Sequence, residues 1–163
     1  MQVYLLRHGI SEEARAGLSD ADRALTPDGR RKLRQTLHAA IQADVKPSLI
    51  LSSPLKRAVQ TAEIAKEVFG CKSDILRTNA LLPGAAAGQV WDEIRVHKDE
   101  TAVVLVGHNP LFDRLAGYLL GQPELQVDFK KGAILRLDME GFPVRPKGIL
   151  RWYLTSKLAT NHR

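Results

Sequence analysis

The chain has 163 residues, 44% hydrophobic and 26% charged, which excludes general disorder. That length buries a core without disulfides or a structural metal, and the single cysteine, Cys71, excludes a disulfide framework and a thiolate metal cluster. A formal net charge of +6 is compatible with nucleic acid, an anionic membrane or anionic small substrates as partners.

In chain order, Val3–Leu6 reads as a buried strand. No charged leader with a long apolar stretch precedes it, so no signal peptide is expected. One cysteine and no signal peptide point to a reducing, cytoplasmic setting. Residues Gly9 to Leu25 form a long first loop, of a length that usually carries function or short structure of its own. Thr26 is the expected cap of a first helix, with Pro27 at its first position and a stripe of Leu33, Leu37, Ala40 and Ile41. Leu49–Leu51 is the second strand. Ser53 and Pro54 are expected to open a second helix whose stripe is Leu55, Ala58, Val59, Ala62, Ala65 and Phe69, ended by Gly70. A weak strand at Asp74–Thr78 and a weak helix at Gly88–Asp99 follow. Ala102–Val106 is another buried strand. Asn109 and Pro110 are expected to start a further helix, with Phe112, Leu115, Ala116 and Leu119 inward and its end at Gly121. Ala133–Leu137 and Ile149–Thr155 complete the strands.

No repeat or linker divides the chain, so a single domain over residues 1–163 is expected. Strands alternating with helices predict a three-layer α/β/α sandwich with a mostly parallel central sheet. The longest apolar run, Ala102 to Val106, is too short to span a bilayer, and no membrane association is expected. The basic residues Arg30, Arg31, Lys32 and Arg34, with Lys130, Lys131 and the C-terminal tail, read as solvated surface rather than a nucleic-acid patch.

Three strand ends carry the chemistry. Val3–Leu6 runs into Arg7-His8-Gly9, Leu49–Leu51 into Ser52-Ser53-Pro54 with Arg57 just beyond, and Ala102–Val106 into Gly107-His108-Asn109-Pro110. Taken singly, each has an ordinary explanation: surface polarity for Arg7 and His8, a satisfied core histidine for His108, an exposed helix position for Arg57. Together they fall on the carboxyl edge of one parallel sheet, where ligands of open α/β sheets bind. Two arginines, two histidines and two helix N-termini there suit a phosphoryl group.

These segments resemble the histidine phosphatase superfamily, whose members are similar to phosphoglycerate mutase. Leu6-Arg7-His8-Gly9 resembles its RHG signature, Asp22 to Gly29 its RxLTxxG helix start, Ser52 to Ala62 its SSPxxRAxQTA segment, and Gly107 to Pro110 its GHNP segment. The short length resembles the SixA-like branch of phosphohistidine phosphatases. The resemblance implies that His8 is the nucleophile, that Arg7, Arg57 and His108 hold the phosphoryl oxygens, and that the reaction needs no metal or other cofactor. It also implies a partner carrying a phosphorylated histidine on a signalling or phosphocarrier domain. Ser11 and Thr61 are further candidates for substrate binding, with ordinary structural polarity as the alternative for both.

One departure matters. Many superfamily members carry a glutamate as general acid after an apolar pair in mid-chain. Here that stretch reads Asn79-Ala80-Leu81-Leu82-Pro83-Gly84, without an acid. Glu12 and Glu13 are possible substitutes, and Asp92 and Glu93 are expected on a solvated helix face. A general acid contributes ~10²–10⁴ in rate. An alkoxide leaving group needs that help more than an imidazole does, which favours phosphohistidine over phosphoester substrates. Two alternatives stand beside this reading: a general phosphomonoesterase for small metabolites, and a non-catalytic phosphate- or nucleic-acid-binding module. Aromatic residues at only 6% offer no evident stacking platform for the last.

Overall fold

The computed structural model describes residues 1–160; the end of the basic C-terminal tail lies outside the described residues. Strands β1 (Gln2–Arg7), β2 (Leu49–Ser52), β3 (Leu76–Arg77), β4 (Ala102–Gly107), β5 (Ile134–Asp138) and β6 (Ile149–Leu154) form one sheet in the order β3-β2-β4-β1-β5-β6. The helices are α1 (Pro27–Ile41), α2 (Lys56–Phe69), α3 (Ala87–Val96), α4 (Leu111–Leu119) and α5 (Ser156–Thr160). Pairings β3–β2, β2–β4 and β4–β1 are parallel, while β1–β5 and β5–β6 are antiparallel. The expected mostly parallel α/β architecture is therefore present, with an antiparallel flank contributed by the last strands.

Alternation along the buried strands decides which helix covers which face. Tyr4 and Leu6 of β1, Ile50 of β2, and Val104 and Val106 of β4 pack with Leu33, Leu37 and Ala40 of α1 and with Ala58, Ala62 and Ala65 of α2. Val3, Leu5, Leu49, Leu51, Val103 and Leu105 face the other way, onto Val90, Trp91 and Ile94 of α3 and Phe112, Leu115 and Leu119 of α4. Strands with both faces covered must be apolar throughout, which is why β1, β2 and β4 read as continuous apolar runs.

The helix boundaries depart from expectation in instructive places. Thr26 caps α1 as expected, its side chain accepting from Gly29 N at 2.9 Å. Ile41, expected inside, is 40% exposed, because α1 ends there and its last position turns away from the sheet. Ser53 does not cap α2. That helix starts at Lys56 with Leu55 extended at its cap, which frees Ser53 for another contact. Likewise α4 begins at Leu111, with Pro110 rather than Asn109 in the cap position. Gly70 ends α2 in the left-handed region at φ 67°, as a glycine there predicts. The strand expected at Asp74–Thr78 shrinks to Leu76–Arg77, both exposed on the sheet edge. No helix among the described residues is long and apolar enough to cross a membrane.

Gly29 locks the loop after β1 onto α1. A Cβ built at Gly29 collides with the Ile10 carbonyl, so the final residue of the Leu25-Thr26-Pro27-Asp28-Gly29 run must lack a side chain. Gly29→Ala is expected to destabilise the protein by roughly 1–3 kcal/mol, because backbone rather than a flexible side chain must move. Urea denaturation of the variant checks this, and an unchanged midpoint would show that the loop yields freely.

Candidate active site

The register of the parallel pair β1–β4 sets Arg7 beside Gly107, so the residues that follow, His8 and His108, emerge side by side. His8 N donates to Gly107 O at 3.1 Å, extending the ladder by one residue. The two imidazole centroids lie 5.0 Å apart, tilted by 53°. His8 is 5% exposed and His108 1% exposed, so both rings form a buried floor. Arg57, in the first turn of α2, is also buried.

A hydrogen bond assigns the proton on the His8 ring. His8 Nδ1 lies 2.7 Å from the Gly9 carbonyl, which can only accept. Nδ1 therefore carries the hydrogen, and Nε2 keeps a free lone pair. His108 Nε2 lies 2.7 Å from Ser53 Oγ. Ser53 Oγ also accepts from Leu55 N at 3.3 Å and keeps both its proton and a second lone pair, so it can donate to Nε2 or accept from it. His108 Nδ1 is buried with no partner among the described residues. Burial, followed by the charges of Arg57, Arg7 and Lys131, lowers the His8 pKa from 6.5 to about 3, against an opposing pull from the Gly9 bond. Burial, then His8, Arg57 and Arg7, lowers His108 to about 3 as well, while Asp20 opposes the shift. Both rings are neutral at neutral pH.

Arg7 reaches the floor from β1. Its Nη1 donates to Phe129 O at 2.7 Å, and Asn109 Nδ2 donates to the same carbonyl at 3.1 Å. Phe129 is itself held between Phe112 and Tyr153, with ring centroids 5.4 Å and 5.3 Å away. Arg7 Nε is buried and unpartnered. Two buried nitrogens, the donor Arg7 Nε and the ring atom His108 Nδ1, thus lack a partner among the described residues at the same strand ends. Buried donors are rarely orphaned, so the site is built for a ligand that accepts hydrogen bonds and carries negative charge.

Of the residues singled out in the sequence, Arg7, His8, Arg57 and His108 come together. Thr61 is engaged within the protein, and Ser11 lies in the first loop. Thr61 Oγ1 donates to Arg57 O at 2.8 Å and accepts from Gly9 N at 3.2 Å, so its proton is spent on tying the loop after β1 to α2. Ser11 pairs with Leu25 in an isolated bridge and accepts from Arg23 Nη2 at 3.3 Å. Glu12 caps Ala24 N at 2.9 Å and pairs with Arg15, away from the floor. Asp92 and Glu93 pair with Arg95 and His97 within α3 or at its end. The basic run on α1 is likewise engaged: Arg31 and Lys32 pair with Asp28, and Arg34 with Glu67.

Three contributors escaped the sequence reading. Ser53 was assigned to a helix cap, Phe129 acts through its backbone carbonyl, and Asp20 lies in a short 3₁₀ turn (Asp20–Asp22) of the first loop. Asp20 accepts from Arg57 twice, through its carbonyl at 2.8 Å and its carboxylate at 3.3 Å. Only the length of the first loop, Gly9 to Leu25, hinted at a functional segment.

Residues 3–81 match the sequence profile of the histidine phosphatase superfamily (branch 1). The chain belongs to that superfamily. An uncharacterized protein of Picosynechococcus sp. is 32% identical over 139 residues, covering 84% of each chain. The structure of the protein histidine phosphatase SixA complexed with tungstate superposes with a TM-score of 0.84 at 25% identity, covering 96% of this chain and 98% of that one. The alpha-ribazole phosphatase of Shigella flexneri shares the fold at a TM-score of 0.72 and 19% identity, covering 96% and 97%. Within the superfamily the chain is SixA-like, and its site is that of a phosphatase.

The neutral buried histidines make a histidine phosphatase of this kind sensitive to acid. An unfolded chain protonates each ring below 6.5, whereas the folded one resists until about 3. Stability is therefore unaffected above pH 6.5 and is lost as pH falls from there toward 3. By pH 5 the loss approaches about 2 kcal/mol per ring. Denaturant unfolding of the wild type and of His108→Gln at pH 7.5 and pH 5 checks this: the variant should lose less. Equal losses would mean that His108 is already protonated in the fold.

Proposed function

We propose that the protein is a phosphohistidine phosphatase, acting on a phosphorylated histidine of a small signalling or phosphocarrier domain through a covalent intermediate on His8. The observation that carries this reading is the unprotonated Nε2 of His8 on the same floor as the buried Arg7 Nε and His108 Nδ1, neither of which has a partner among the described residues.

In the first step the Nε2 lone pair attacks phosphorus. The bond to the leaving imidazole breaks; with a hydrogen on its other nitrogen, that ring departs as neutral imidazole, the freed nitrogen keeping the electron pair, and needs no proton. Arg7, Arg57 and His108 hold the equatorial oxygens, where charge accumulates in a loose transition state. The His8 ring then bears phosphorus on Nε2 and hydrogen on Nδ1, so it is cationic and a good leaving group. In the second step water attacks phosphorus and the electron pair returns to Nε2. The Gly9 carbonyl keeps the Nδ1 proton throughout.

The choice of phosphohistidine rests on the missing acid. Between Thr78 and Gln89 there is no carboxylate, and the 3₁₀ turn at Asn79–Leu81 closes onto the core through fully buried Leu81. Phosphomonoesters of poor leaving groups would forgo the ~10²–10⁴ that an acid supplies. The shared fold with an alpha-ribazole phosphatase keeps a phosphomonoesterase as the second reading.

Comparing kcat/KM on a phosphohistidine protein with that on sugar phosphates separates the two, and a ratio above ~10² for the former is expected. Comparable values would favour the phosphomonoesterase. His8→Ala is expected to abolish turnover and the acid-labile phosphoenzyme together, and near-normal activity would refute the nucleophile. Arg57→Ala should weaken inorganic phosphate binding at least about tenfold, the worth of a hydrogen bond to a charged group. Its unfolding free energy should change by less than that loss of binding. Isothermal calorimetry and urea denaturation measure the two effects separately.

A further inference from the structure

We propose that Asp20 is the base that takes a proton from the water attacking the phosphohistidine on His8. This rests on the function proposed above and supplies the acid–base group missing from the turn after β3.

The geometry singles out this carboxylate. Arg57 spends its protein hydrogen bonds on Asp20, with Nη1 on the backbone carbonyl at 2.8 Å and Nη2 on Oδ2 at 3.3 Å. Among the described residues no other carboxylate bonds Arg7 or Arg57. Asp22 is held by Ser19, Glu12 by Ala24 N and Arg15, and Asp128 by Lys130. The other Asp20 oxygen accepts from Arg23 Nη1 at 3.0 Å. Arg23 in turn anchors the loop through Glu12 O at 2.7 Å. Each carboxylate oxygen keeps a second lone pair for water.

Position and charge agree with this role. His8 is 5% exposed, on the floor, whereas the Asp20 side chain is 63% exposed, on the rim, with Arg57 touching Asp20 from below. Water must attack phosphorus on the face opposite Nε2. With His8 on the floor, that face looks outward, toward the rim. Hydrogen bonding from Arg23, joined by the charge and hydrogen bond of Arg57, holds the Asp20 carboxyl below the usual carboxylate range. It is ionised at neutral pH, so it has no proton to donate and acts as an acceptor, a weaker base than an unperturbed carboxylate. The step balances: a water O–H proton passes to Asp20, the O–P bond forms, the P–Nε2 bond breaks, and the electron pair returns to Nε2. The protonated carboxyl then releases its proton to solvent.

The test is quenched flow with ³²P-phosphoramidate, following label on the protein and release of inorganic phosphate. In Asp20→Asn, phosphoenzyme formation should stay within roughly fivefold of wild type, while its hydrolysis slows by ~10² or more. Label should therefore accumulate on most of the enzyme. Asp20→Glu should restore part of the hydrolysis rate. If Asp20 only orients Arg57, formation slows instead and no label accumulates, which overturns the assignment. Wild-type turnover in Asp20→Asn overturns it equally. Label on a residue other than His8 in the wild type overturns the function reading and the role of Asp20 with it. Label on His8 that fails to accumulate in Asp20→Asn refutes only the role of Asp20.

Discussion

The parallel register between β1 and β4 is the constraint on which the rest of the site depends. It sets Arg7 beside Gly107 and so delivers His8 and His108 as neighbours from positions a hundred residues apart. A slip of one residue would turn every side chain of β1 to the other face, sending Tyr4 and Leu6 away from α1 and α2. The two apolar clusters on opposite faces of the sheet therefore hold the two imidazoles in place, although none of their residues has any chemistry of its own.

That placement has an electrostatic cost. Two imidazoles and a guanidinium are buried together, and Arg7 Nε and His108 Nδ1 have no partner among the described residues. The fold tolerates this because the histidines stay neutral and because carbonyls, those of Gly9, Phe129 and Asp20, absorb some of the remaining donors. A tetrahedral oxyanion would complete the hydrogen bonding and offset the positive charge. Stability is sacrificed locally for a pre-organised anion site, the usual relation between strain or unsatisfied polarity and function.

The first loop contributes more than its irregular sequence suggests. Thr61 joins its beginning to α2, Gly29 lets it press on α1, and Arg23 with Arg57 secures the turn that carries Asp20. A rigid floor is thus combined with a rim built from a short segment held by polar contacts. In the proposed reaction the rim is where the leaving group departs and water enters.

Much of the fold was legible in the chain. Apolar runs identified β1, β2 and β4, and Thr26 and Gly70 marked helix ends, because local sterics and capping depend on neighbours in sequence. Arg7, His8, Arg57 and His108 were legible as well, since each follows a strand at the edge where parallel sheets bind ligands. The roles of Ser53, Thr61, Ser11 and Asp20 were not. A hydroxyl or carboxylate can cap a helix, tie a loop or face a ligand, and its residue type and spacing are the same in all three cases. Only the tertiary structure decides which partner stands within hydrogen-bonding distance: Leu55 N and His108 for Ser53, Gly9 N for Thr61, Arg57 for Asp20. Sequence by itself determined which strands are buried and which charged residues sit at their ends. The pairing of those ends, the burial of the two histidines and the position of the carboxylate on the rim were decided by long-range packing, because they depend on distances between segments that the chain order leaves free.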